Sequence, residues 1–108
     1  MSTNALDLLE AEIGGHPVEQ SGWDLYRHVL DLARRLEASD RKGLVEALDI
    51  WLKQRSSPRT GIAVDVAGEL KLAELREGLA QLLEEVRAGK TFLPHDVQWI
   101  EKAIQAMS

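Results

Sequence analysis

The side chains best suited to hold a metal or move a proton near neutral pH are three histidines, His16, His28 and His95. A helix presents two such ligands to one ion when they stand one turn apart, at i and i+4. No pair of these histidines has that spacing. His16 falls in a Gly14-Gly15-His16-Pro17 turn, His95 follows Pro94 beside a helix start, and His28 lies at the edge of a helical stripe. His16 and His95 are expected to be ordinary turn or surface residues, and His28 a half-buried histidine bonded to a neighbour.

The carboxylates are more concentrated. Asp65, Glu69, Glu74, Glu77, Glu84 and Glu85 share one segment with Lys71, Arg76 and Arg87. Paired carboxylates do acid–base chemistry when an apolar pocket separates their pKa values, and nothing in the spacing places these in one. They form either a solvated face with local ion pairs, such as Glu84 with Arg87, or a docking surface for a basic protein. Among the aromatic residues, Trp51 falls on a core stripe, whereas Trp23 and Trp99 fall off theirs. Off-stripe tryptophans suit partner contacts, where such anchors are enriched. The candidate partner-binding residues are therefore Trp23, Trp99, Asp65, Glu69, Glu77 and Glu84.

The chain has no cysteine, which removes disulfides, thiolate metal sites and a cysteine nucleophile. It has no glycine-rich phosphate loop, nucleophile elbow or metal signature either, so no catalytic residue, metal or cofactor is expected. Ser57-Pro58-Arg59-Thr60 has the form of a phosphorylation site and equally of a helix start.

The elements that carry these residues follow from apolar spacing. At 108 residues the chain has the usual size of a single domain with one core, and its 44% apolar and 29% charged residues suit a folded globular protein. Turn signals recur at helix-length intervals: Gly14 to Pro17, Ser39-Asp40, Ser56 to Pro58, and Gly89 followed by Pro94. Leu6, Leu9 and Ile13 share one face, with Asn4 and Asp7 as a capping pair. Ser21 and Asp24 make a second capping box before the stripe of Leu25, Tyr26, Val29, Ala33 and Leu36. Asp40 caps or flanks a third segment, whose apolar side is Leu44, Val45, Ala47, Leu48, Trp51 and Leu52. Pro58 and Pro94 suit first helical positions. The last segment aligns Val97, Ile100, Ala103, Ile104 and Met107. No stretch alternates with period two, so no strand is expected.

Residues 59 to 86 pose the sharpest question, because they read as helix throughout. At about 100° per residue, Ile62, Ala63, Val66, Ala67 and Leu70 point one way, whereas Leu72, Leu75, Leu79, Leu82, Leu83 and Val86 point nearly opposite. One straight helix could present both stripes only between two layers, which a chain this short has little material to build, and a helical hairpin is the other reading. The apolar side swaps near Lys71, and a chain reversal at residues 71 to 73 lets both stripes reach one core.

The segment from Arg59 to Val86, with Gly68-Glu69-Leu70 followed by Leu75, Leu79 and Leu82, resembles a HEAT-type helical repeat. In place of that family's Gly-Asp-Pro turn it has Lys71-Leu72-Ala73. The resemblance implies helical hairpins stacked into a curved solenoid that binds proteins. The expected fold is thus all-α: about six helices as stacked antiparallel hairpins, a HEAT-like α-α superhelix or a compact helical bundle.

A net charge of −5, from 18 acidic and 13 basic residues, repels nucleic acid and anionic membranes and favours a basic protein partner. The expected function is a small, acidic, non-catalytic protein-protein interaction module, similar in kind to bacterial immunity proteins that neutralise a basic toxin. A helix-turn-helix DNA-binding regulator is the alternative, although Arg76 and Arg87 face four nearby glutamates, the wrong balance for a groove in DNA. An enzyme with a site at a dimer interface is the third. No segment has the form of a signal core or membrane span, and cytoplasmic residence is expected.

Overall fold

In a computed structural model, residues 4–14, 22–56 and 59–107 are described, the side chains of 22–24 excepted. Among the described residues, five α-helices follow one another: α1 Ala5–Gly14, α2 Gly22–Gln54, α3 Arg59–Glu69, α4 Arg76–Arg87 and α5 Asp96–Ala106, with a short 3₁₀ turn, Ala73–Leu75, leading into α4. The described residues contain no strand. None of the helices among them is long and apolar enough to cross a membrane.

Five helices replace the expected six because the break at Ser39-Asp40 contains no loop. Asp40 alone leaves the helical region (φ −157°, ψ 65°), and α2 resumes at once. Its carboxylate accepts the Gly43 amide at 3.1 Å, as an N-cap does. The expected cap is therefore present, and it serves as a kink inside one element. Asn4 also caps as expected, its Oδ1 accepting the Asp7 amide at 2.8 Å. The Ser21–Asp24 box and the Ser57-Pro58 start lie outside the described residues. Pro94 is not the first helical residue: α5 begins at Asp96, whose own carboxylate accepts the Leu93 amide at 3.0 Å.

The chain divides into two compact units, Met1–Ala47 and Leu48–Ser108. In the first, Leu9, Val29 and Ala33 are fully buried and Leu36 nearly so, which are the stripe positions expected of them. His28 Nδ1 lies 3.9 Å from the Glu12 carboxylate, linking α2 to α1.

In the second unit, every leucine or valine of the second stripe (Leu72, Leu75, Leu79, Leu82, Leu83, Val86) is buried, and so are Ile62, Ala63, Val66 and Ala67 of the first. The swap in apolar direction is met by a break in the helix between Glu69 and Ala73. Lys71 takes a left-handed conformation (φ 53°). The Leu72 amide bonds back to the Ala67 carbonyl at 2.9 Å and the Lys71 amide to the Gly68 carbonyl at 3.3 Å. This pair of bonds is the Schellman closure of a helix, with the residue after it, Leu72, buried. Gly89 (φ 77°) closes α4 the same way. Lysine carries a Cβ penalty in that conformation which glycine lacks. Lys71→Gly is accordingly expected to stabilise the fold by about 0.5–1 kcal/mol, read as a higher denaturation midpoint. A destabilised variant would contradict this account of the turn.

The end of α2 carries a modified form of the same closure. Arg55 is left-handed (φ 51°), and its amide bonds the Leu52 carbonyl at 3.3 Å. The second bond is interrupted by a side chain: Thr60 Oγ1 accepts the Ser56 amide at 2.9 Å and donates to the Trp51 carbonyl at 2.7 Å. Thr60 is fully buried, the one buried polar side chain among the described residues. Thr60→Val keeps the shape and strips both partners, so a loss of about 1–3 kcal/mol is expected in denaturant titration. A cost below a few tenths would mean that water reaches these groups.

Arg55 also reaches α4, its Nε and Nη2 bonding the two Glu85 oxygens at 3.0 and 2.8 Å. This two-pronged bond holds the Glu85 carboxyl below its usual value. Its stabilisation is present above the ordinary glutamate range and is lost as pH falls through the lowered value.

Where the helices of this unit touch, residue numbers rise together. The open face of Gly78 on α4 meets Asp49 and Leu52 of α2, and Arg55 meets Glu85 further on. Gly61 and Asp65 of α3 meet Trp99 of α5, and Gly68 meets Ala103. Thus α3 runs parallel to α5. The closest backbone approaches between helices are those of α5, to α3 and to α4.

Candidate functional site

A shallow groove of about 250 Å³ runs between α3 and α5. It is lined on one side by Val64, Asp65, Gly68 and Glu69 and on the other by Trp99, Lys102, Ala103 and Ala106. Two local patterns build it. On α3, Gly61, Asp65 and Gly68 stand at i, i+4 and i+7, which is one face of a helix. On α5, Trp99, Ala103 and Ala106 repeat that spacing. The missing side chains on α3 let α5 come close: a Cβ on Gly68 would sit 3.1 Å from the Ala103 Cα. The Trp99 ring lies over Gly61, where a Cβ would be 3.5 Å from its edge.

The Trp99 indole N–H donates to Asp65 Oδ1 at 2.5 Å. That bond fixes the ring against α3, so an off-stripe tryptophan is only half-buried and still held in one orientation. Burial pushes the Asp65 carboxyl above its usual value, and the Trp99 bond pulls it partly back. The folded protein therefore holds this proton to higher pH than the unfolded chain. Charging Asp65 as pH rises beyond 3.8, its ordinary value, costs stability up to the raised value, and that cost persists at neutral pH. Asp65→Asn keeps an oxygen for Trp99 and removes the titration. Its midpoint of thermal unfolding relative to the parent is expected to climb between pH 3 and pH 7, and a difference that stays flat or falls would refute the desolvation of Asp65.

Of the six residues expected to contact a partner, the structure brings together Asp65, Glu69 and Trp99. Glu77 and Glu84 are exposed on α4, Glu84 lying 3.6 Å from Arg87 as anticipated. Arg87 binds Glu101 of α5 more closely, at 2.9 Å. The Trp23 side chain lies outside the described residues. Lys102, Gly68 and Ala106 were missed as site residues by sequence reasoning, although Gly61 with Gly68 and Ala103 with Ala106 were visible as small residues on one face of each helix. His95 lies 3.6 Å from the carboxylate of its neighbour Asp96, and His16 is outside the described residues.

Compared with protein-family models, with curated proteins and with solved structures, the chain matches none.

Proposed function

We propose that the protein is a small HEAT-like scaffold of stacked helical hairpins that works by binding a basic protein, in the manner of an immunity-type neutraliser, with no chemistry of its own. The repeat reading is supported by the order in which helices meet. In a stack of hairpins each helix lies parallel to its counterpart one repeat on, skipping the helix between. That is how α3 runs along α5, past α4.

The observation that carries the binding reading is the α3–α5 groove, where Asp65, Glu69 and an oriented Trp99 share one open face. A half-buried tryptophan beside carboxylates offers both an anchor and a charge preference. A chain of net charge −5 adds attraction towards a basic surface.

The test is capture from native lysate at graded salt, followed by reconstitution with the purified partner. The expected partner is basic, and its affinity falls steeply as salt screens the contact. A chain that retains nothing at any ionic strength, or a partner of acidic charge, would overturn the reading.

A further inference from the structure

We propose that Asp65 and Trp99 form a proton-operated latch on the α3–α5 groove: an ionised Asp65 holds the indole ring against α3, and a protonated Asp65 loosens it, so that the wall formed by Trp99 swings outward. The latch belongs to the chain by itself and needs no partner.

Geometry is the first argument. Trp99 is half-buried, and an indole has a single N–H to give. That donor goes across the helix pair to Asp65 Oδ1. Under the ring lies Gly61, which offers a flat bed and no side chain to interlock with it. The direction of the ring therefore rests on the hydrogen bond.

Charge is the second. An N–H bond to a carboxylate is roughly twice as strong as one to a neutral acceptor. A proton on Asp65 thus weakens the bond while leaving an oxygen in place to accept it. The coupling is reciprocal: whatever ionisation adds to the bond, the bond adds to ionisation. Burial pushes the Asp65 carboxyl up and the Trp99 bond pulls it down, which is the sign a latch requires. Burial also places the loosening at a higher pH than an exposed aspartate would give.

The other charged groups lining the groove tune this device without replacing it. Glu69 stands one turn along α3 and already has a polar partner, and Lys102 faces it from α5. The indole's one N–H is spent on Asp65, so neither can take the bond while the latch is closed.

The test follows two signals in the isotope-labelled full chain from pH 7 to pH 3 by NMR: the Asp65 carboxyl carbon, and the exchange of the Trp99 indole N–H with water, assigned by its loss in Trp99→Phe. Asp65→Asn supplies a neutral acceptor at every pH. Relative to that variant, the parent should exchange its indole proton about threefold more slowly near pH 7 and at the same rate near pH 3, with the change centred where the Asp65 carbon titrates. Trp99→Phe, which removes the donor, should move the Asp65 titration to higher pH. Glu69→Gln should move it lower and Lys102→Gln higher, both with the change in indole exchange still present. The coupled movement of the two signals is a result that a merely structural bond does not produce. An exchange ratio that stays constant with pH, a change that disappears in Glu69→Gln, or an Asp65 titration that Trp99→Phe leaves in place or lowers overturns the latch. None of these outcomes bears on whether a basic protein is captured, so the interaction reading stands or falls separately.

Discussion

Trp51→Ala is expected to remove about 3–5 kcal/mol of stability, the range for truncating a large core aromatic. Trp51 is the largest fully buried side chain among the described residues. Truncation loses the transfer energy of the indole and leaves a cavity that helices pinned at other points cannot fully collapse. Those pins are specific. The Trp51 carbonyl is held by the Thr60 hydroxyl, and four residues on Arg55 is clamped to Glu85. Small domains are stable by only about 5–15 kcal/mol, so the variant should unfold at much lower denaturant or fail to fold near body temperature. Trp51→Phe, which keeps most of the volume, should lose clearly less. A cost for Trp51→Ala below about 1 kcal/mol would mean that the site refills or that the residue is not in the core.

The second large effect belongs to Gly68. A leucine there drives a side chain into the backbone of α5, since even its Cβ would lie 3.1 Å from the Ala103 Cα and 3.2 Å from the Ala103 Cβ. The obstacle is backbone, so relief requires α5 to move away from α3. Overpacking of this kind costs about 1–3 kcal/mol, and Gly68→Leu should fall at the upper end. Gly68→Ala should cost less, because better helix propensity returns up to about 1 kcal/mol. The displacement has a signature besides stability: α5 carries Trp99, so the Trp99–Asp65 bond lengthens and the indole N–H resonance shifts. Adding Ala103→Gly should recover part of the loss in Gly68→Ala, giving a coupling of about 0.5 kcal/mol or more in the double-mutant cycle. Strict additivity of the two changes would remove the close crossing from the account.

The glycine of the Gly68-Glu69-Leu70 motif therefore has a packing reason. It is a point of close approach between α3 and α5. Its spacing from Gly61 could have announced a helix contact face, but spacing alone does not name the helix that fills it.

Periodicity within each helix, read from the sequence, was sufficient for most of the core. Leu9, Val29, Leu44, Leu48, Trp51, Leu79 and Ile100 are all buried at stripe positions. The caps at Asn4 and Asp40 were legible because they act over three residues. The break near Lys71 was legible from the change of apolar side, even though no glycine or proline marks it. Its chemistry was not, because a lysine in left-handed conformation is chosen by the burial of Leu72 beyond it, not by its own preference. The number of helices was misjudged for a related reason: Ser39-Asp40 signals a helix end, and a cap that lets the next turn start at once leaves no loop between.

What the sequence by itself determined is the set of dry faces and the places where the chain must turn, since both depend on residues within a few positions of one another. The tertiary structure alone decided which faces meet. Asp65 with Trp99 is separated by 34 positions and Arg55 with Glu85 by 30, and each pairing depends on the register and rotation of one helix against another. A helix repeats every 3.6 residues whatever it packs on, so the pattern along one strand of sequence is silent about its neighbour. The candidate site is made at such a meeting, which is why its residues could be nominated singly and their union could not.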